Sequence, residues 1–273
     1  MLENPTESEL IYDWNLKGDK VSPPLRRIEY LDETLRDGIQ CPSVTDPSID
    51  DKLNMIRLMD SLGIDHIDIG LPGAGQRAVD DCTVLVEMIR DEGLAIKPSC
   101  AARTHPNDIR PVIEISQKTG VPIEVLAFLG ASPIRLYTEG WTADLLEERT
   151  RSSMRMSKEA GLEVSFVTED TVRSQPELLA RLFRAALDEE ADGLILCDTV
   201  GHATPDGVHN LIHFTRNIIA EHGASCRVDW HGHDDRGHSL PNAITAIEAG
   251  ADRIHGTVLG MGERVGNTPI DLL

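Results

Sequence analysis

The stretch EADGLILCDT (residues 190–199) leaves a helical segment, turns on a small residue and an aspartate, and runs into a short apolar strand. GIDHIDIG (63–70) and GADRIHG (250–256) repeat that order, a weak internal repeat. Working outward, eight short apolar runs recur along the chain: RIEYLDE (27–33), HIDIGLP (66–72), AIKPSCA (95–101), IEVLAFLG (123–130), EVSFVTED (163–170), GLILCDT (193–199), RVDWHGH (227–233) and RIHGTVLG (253–260). Several are β-branched or apolar on both faces, as buried parallel strands are. Helical spacing fills the intervals. Leu53, Ile56, Met59 and Leu62 keep a three-residue step, Leu178, Leu179, Leu182, Phe183 and Ala186 form a fuller stripe, and Ala243, Ile244 and Ile247 precede the last run.

Strand alternating with helix predicts a parallel sheet, and eight units predict a closed (β/α)8 TIM barrel, an α/β fold. A doubly wound open sheet is the alternative, but the turn after the first strand, DETLRDG (32–38), is not a GxGxxG phosphate loop. Residues 1–26, with Pro23-Pro24, read as an N-terminal arm, and 27–273 as the barrel domain. The chain stops at Leu273, where an eighth helix is expected to begin. The barrel therefore reads as truncated there, either a fragment of something longer or covered by a partner.

Composition narrows the class. The 273 residues are 40% hydrophobic and 26% charged, which fits one large domain or two small ones. Forty-six acidic residues against twenty-six basic give a net charge of -20, which repels phosphate backbones and argues against nucleic acid as a partner. No run of eighteen apolar residues occurs, so no membrane span is expected, and MLENPTESEL lacks the apolar region of a secretory signal. The five cysteines, odd in number and without a CxxC, read as reduced thiols in a cytoplasm.

Active sites of such barrels lie at the C-terminal ends of the strands. There the sequence collects Glu33, Arg36, Asp37 and Gln40 after strand one, Glu169 after strand five, Thr199 after strand six, His231 and His233 on strand seven, and GMGERVGN (260–267) after strand eight. Alternate residues of a strand face the same way, so His231 and His233 can share one divalent ion. Two hydrogen-bonded histidines at a barrel mouth are the plainer reading. Asp37 supplies the carboxylate that completes a two-histidine, one-carboxylate set with positions open to substrate. Arg36 is either an ion-pair partner of Asp37 or a cation that polarises a carbonyl and stabilises an oxyanion. Glu169 is a base or a helix-start residue, and Thr199 binds a carboxylate or caps the following helix. The glycines of 260–267 suit an anion cradle or a tight loop. No cysteine has a local base that would make it a nucleophile.

Taken together, DETLRDG (32–38), DTVGHATP (198–205), HGHDDRG (231–237) and GMGERVGN (260–267) resemble the DRE-TIM metallolyase superfamily, and within it the Claisen-condensing 2-isopropylmalate, homocitrate and citramalate synthases. The resemblance runs from about residue 28 to the end. It implies a divalent ion (Mg2+, Mn2+ or Zn2+) on Asp37, His231 and His233 with Asn267 on or near it. It implies that Arg36 polarises a 2-oxo group, that Thr199 meets the substrate carboxylate and that Glu169 lies in the substrate site. Gln40, Arg103, Ser132 and Thr257 are further substrate-site expectations, with Arg135 adding to the local field. Gly260, Gly262 and Glu263 belong to the loop expected beside acetyl-CoA. The implied reaction is condensation of acetyl-CoA with a 2-oxo acid, then thioester hydrolysis to CoA and a 2-hydroxy dicarboxylic acid, as in leucine biosynthesis by a homodimer.

Three features depart from the isopropylmalate synthase pattern. Leu126 or Ala127 stands where many members carry a histidine, and Ile39 where an acidic residue is common. The C-terminal subdomains of those synthases are not in this chain. Homocitrate, citramalate or citrate synthase-type specificity stays open. So do a lyase or aldolase of the superfamily, disfavoured because the lyases' cysteine-containing loop is replaced by GMGERVGN, and a non-catalytic metal-binding barrel.

Overall fold

All eight expected strands form and pair in parallel, each with the next and the last with the first: β1 Glu29–Asp32, β2 His66–Asp68, β3 Lys97–Arg103, β4 Glu124–Gly130, β5 Val164–Glu169, β6 Gly193–Asp198, β7 Arg227–Gly232 and β8 Arg253–Gly256. The closing pair joins Leu31 to His255 and Asp32 to Gly256. The computed structural model describes Thr6, Leu10 and residues 26–273. Of the expected arm, 1–26, all but Thr6, Leu10 and Arg26 lies outside the described residues. Arg26 pairs with Asp252 at 3.0 Å.

The helices are α1 Ile49–Leu62, α2 Gln76–Glu92, α3 Pro106–Thr119, α4 Pro133–Glu139, α5 Ala143–Glu159, α6 Pro176–Asp188, α7 Pro205–His222 and α8 Ser239–Ala249. Seven of these cover the barrel, and the short α4 is inserted between β4 and α5. Local chemistry sets their ends. Ser48 accepts from Asp51 N at the start of α1, Thr204 from Gly207 N at the start of α7, and proline opens α6. On α6 the expected stripe is buried at Leu179, Leu182, Phe183 and Ala186. On α1 the stripe fails at its end: Ile56 and Met59 are buried, but Leu62 is 77% exposed. A strict three-residue step lags the helix, and nine residues at about 100° each put Leu62 opposite Leu53. After β8 the described residues 258–273 form a short 3-10 turn and a loop, with no α-helix among them.

Strand alternation sorts the core into two. Outward residues such as Ile67, Val125, Ala127, Phe166, Leu194, Val228 and Ile254 pack under the helices. Inward, Leu31, Leu126, Ile195 and Cys197 form a small separate cluster with Val167 against it. Below that cluster the N-terminal end of the barrel is filled by charge. Arg253, fully buried, donates to both oxygens of Glu124 at 2.7 and 2.8 Å and through Nε to Asp229 at 2.8 Å. Arg227 and Ser165 add bonds to Glu124 at 2.7 and 2.5 Å. Buried charge is tolerated when every member is paired, as here. The apolar plug above it forms the floor of the mouth.

Candidate active site

At the end of β1 the chain turns tightly. Asp37 N and Gly38 N both donate to Glu33 O, at 2.8 and 3.0 Å, while the Asp32 carboxylate accepts from Thr34 N and Thr34 Oγ1 at 2.8 and 3.0 Å. This turn delivers Glu33, Arg36 and Asp37 to the mouth together. On β7 and just beyond it, His231 and His233 face the same way. Their Nε2 atoms are 3.1 Å apart, and each lies 3.5 Å from Asp37 Oδ2. Ligand atoms bonded to one ion at about 2.0–2.2 Å stand roughly 3.0–3.5 Å from one another, so the triangle fits a divalent metal. All three residues are buried.

Asn267 closes the fourth side. It bridges to His233, donates from Nδ2 to Asp37 Oδ2 at 2.8 Å, and leaves Oδ1 buried without a partner, an acceptor available to an ion. Its approach depends on Gly262, where a Cβ would meet Asn267 Nδ2 at 2.6 Å. Arg264 staples this loop down, donating to Asp235 at 2.7 and 2.9 Å and to Thr199 O at 2.7 Å. Arg36 is held by Asp68 Oδ2 at 3.0 Å and by Glu33, with Asp37 Oδ1 at 3.9 Å. Its guanidinium is thus fixed beside the Asp37–His231–His233 triangle.

The electrostatics prepare these groups. Burial pushes the Asp37 carboxyl up, but Arg36, the two imidazoles and Asn267 outweigh it and hold it below the ordinary carboxylate value. Burial, reinforced by Arg36 at His231 and by His231 at His233, lowers both imidazoles to about 4. Both imidazoles are therefore neutral and Asp37 ionised at pH 7, the states in which these groups can bind a metal. Burial raises the Glu169 carboxyl against the pull of Arg135, with Asp170 adding to the rise. At Cys197, burial pushes the thiol up, which leaves it unreactive.

The same effect at His66, lowered to about 4 chiefly by burial, gives a pH prediction. Between about 4 and 6.5 the unfolded chain protonates this imidazole and the folded chain does not. Its contribution to stability is therefore present above pH 6.5 and lost as pH falls toward 4. In urea unfolding, the stability gap between wild type and His66→Gln should shrink by at most about 3 kcal/mol over that window.

One cavity of about 300 Å3 gathers Arg36, Asp37, Gln40, Glu169, Thr199, His231, His233 and Glu263. Its opposite wall is apolar: Ala101, Leu126, Phe128, Val167 and Ile195. Of the two candidates, both of which lie within β4, Leu126 is the one that faces the cavity, while Ala127 packs under the helices. Thr199 does not cap α7. Its Oγ1 accepts from Asp170 N at 2.7 Å, and Thr204 is the cap. Glu169 ends β5 and starts no α-helix.

Five expected residues lie elsewhere. Arg103 is turned out, 61% exposed at its side chain, because Asp108 captures its guanidinium at 2.5 and 3.0 Å. Ser132 is buried as the cap of α4. Thr257 is buried and donates to Met261 O at 2.5 Å. Gly260 and Gly262 shape the loop under Asn267 and do not line the cavity. The roles of Asp68 as the anchor of Arg36 and of Glu33 and His255 beneath His231 were not read from the sequence. Alternation was the available signal, since Asp68 follows His66 and His255 follows Arg253 by two.

Fold and mouth together define a (β/α)8 barrel with an arginine beside a two-histidine, one-carboxylate triangle that could hold a metal ion. The HMGL-like family model matches residues 27–273, and the chain belongs to that family. It is 33% identical over 253 residues to the 2-isopropylmalate synthase of Xylella fastidiosa (strain M23), covering 92% of this chain and 47% of that protein. It is 31% identical over 245 residues to the mitochondrial homocitrate synthase of Schizosaccharomyces pombe, covering 89% and 55%. The chain spans about half the length of the curated relatives it matches. Among solved structures, the HMG-CoA lyase from Brucella melitensis superposes with a TM-score of 0.72 at 19% identity, over 89% of this chain and 87% of that one, which shows the shared fold.

Proposed function

We propose that this barrel is the catalytic domain of a divalent-metal-dependent acyltransferase. It condenses acetyl-CoA with a 2-oxo acid carrying an apolar side chain, in the manner of a 2-isopropylmalate synthase, and works in the cytoplasm. The observation that carries the reading is the Asp37–His231–His233 triangle beside an anchored Arg36, facing an apolar wall across one small cavity. A Mg2+, Mn2+ or Zn2+ ion held by the triangle and Asn267 would supply Lewis-acid polarisation of the 2-oxo group.

The chain's own residues do the rest. Arg36 donates to the oxygen that gains charge when the ketone carbon is attacked. Thr199 Oγ1 already accepts from Asp170 N, so its proton is free to meet the substrate carboxylate. Glu169, with raised proton affinity, takes a proton from the acetyl methyl group. The new carbon–carbon bond joins that methyl carbon to the ketone carbon, whose oxygen takes up a proton in place of the one Glu169 removed and becomes the 2-hydroxyl. Water then cleaves the thioester, releasing CoA and a 2-hydroxy dicarboxylic acid. Glu263, on the rim with Gln40, stands on the side where the thioester enters.

Leu126, Phe128, Val167 and Ile195 choose the side chain. They suit an isopropyl group, whereas a second carboxylate would be buried among them beside the Glu169 carboxylate, with which the neighbouring Arg135 is already paired. In calorimetry with Mg2+ or Mn2+ present, 2-oxoisovalerate should bind at least about 100-fold more tightly than 2-oxoglutarate or oxaloacetate, the discrimination expected from an apolar pocket. CoA thiol release from acetyl-CoA should follow the same order and stop on chelation. Equal or tighter binding of 2-oxoglutarate would sink the proposed substrate class.

A further inference from the structure

We propose that His255 is a positioning residue for the metal triangle, acting through Glu33. This rests on the reading of Asp37, His231 and His233 as metal ligands. Glu33, 2% exposed, is a hub. Its Oε1 lies 3.1 Å from His231 Nδ1 and 2.6 Å from His255 Nδ1, and its Oε2 pairs with Arg36. An ionised carboxylate only accepts, so both Nδ1 atoms carry their protons. That fixes the tautomer of His231: its Nε2 presents a lone pair toward Asp37 and His233. A carboxylate behind a ligating imidazole orients the ring and raises its basicity.

One carboxylate oxygen shared by two imidazoles is held only while both donors stay in place. His255 Nε2, bare when Nδ1 carries the proton, lies 3.4 Å from Asp229 Oδ2 and donates nothing there. Beneath it Arg253 Nε donates to Asp229 at 2.8 Å and the Arg253 fork holds Glu124, a separate buried network toward the N-terminal end of the barrel. Without His255, Oε1 loses its shorter contact, and Arg36 is left to draw the Glu33 carboxylate away from His231.

The test is metal affinity, measured by competition with a chromophoric chelator on the intact chain, with folding followed by circular dichroism. His255→Ala should bind Mn2+ or Zn2+ about 10- to 100-fold more weakly, the usual cost of losing such a partner. His255→Asn, whose Nδ2 replaces Nδ1 toward Glu33, should recover most of that loss. His66→Ala serves as the control for destabilisation alone, since His66 is equally buried and meets the network only at its far end, 3.6 Å from Glu124. Unchanged affinity in His255→Ala overturns the proposal, as does an equal loss in His66→Ala. Loss as complete as in His233→Ala would make His255 a ligand instead of a positioning residue and overturns it too. A wild-type chain that binds no metal overturns the ligand reading itself, an outcome distinct from all of these.

Discussion

Asp37→Ala and His233→Ala are each expected to abolish tight divalent-metal binding and turnover together. The three donor atoms stand 3.1, 3.5 and 3.5 Å from one another, so each is one corner of the same triangle. Zinc sites with four protein ligands are worth about 10–16 kcal/mol, so one ligand accounts for roughly 3–4 kcal/mol, or 10^2–10^3 in affinity. His231→Ala should do the same but discriminates less, because His231 also belongs to the neighbouring cluster with Glu33 and His255. His233 touches only the first cluster, so it decides between them. Titration with Mn2+ followed by electron paramagnetic resonance reads the free ion directly. If His233→Ala binds as wild type does, the metal does not sit on this triangle.

Arg36→Ala should separate what those variants lose together. It removes no ligand atom, so the ion should still bind, but kcat should fall by about 10^2–10^3, the cost of losing one donor to a developing oxyanion. Arg36→Lys should not rescue it. The guanidinium spans Glu33 and Asp68 with a planar fork that a single ammonium cannot reproduce. Removing Arg36 also leaves two buried carboxylates facing one another without their shared cation, so a stability loss of a few kcal/mol is expected alongside. Rates must therefore be normalised to folded, metal-loaded protein. An Arg36→Ala enzyme with unaltered kcat would remove Arg36 from the chemistry and leave it as an ion-pair partner.

The two kinds of site residue differ in how they could be read. His231 and His233 lie two apart on one strand, and Arg36 and Asp37 sit in one turn, so their common direction follows from local backbone geometry. Arg103 and Ser132 also lie at strand ends, yet Asp108, on the first turn of α3, captures Arg103, and Ser132 is spent capping α4. Both diversions depend on where a helix starts, which strand-end position alone does not reveal. Leu62 on α1, the last residue of the three-residue step, turns outward because the helix pitch carries it away from the buried face.

By itself the sequence determined the alternation of strands and helices, the number of strands and therefore the closed barrel. It also determined which end of each strand carries chemistry, because these depend on patterns within a few residues. Tertiary structure alone decided which polar groups meet. Glu33 and His255 are separated by 222 positions and touch only because β8 closes on β1. Arg253 can be buried only because β4 and β7 bring Glu124 and Asp229 against it, and their pairing offsets its desolvation. Contacts across a closed barrel depend on strand register, and register is set by packing of the whole ring, so no local stretch of chain contains it.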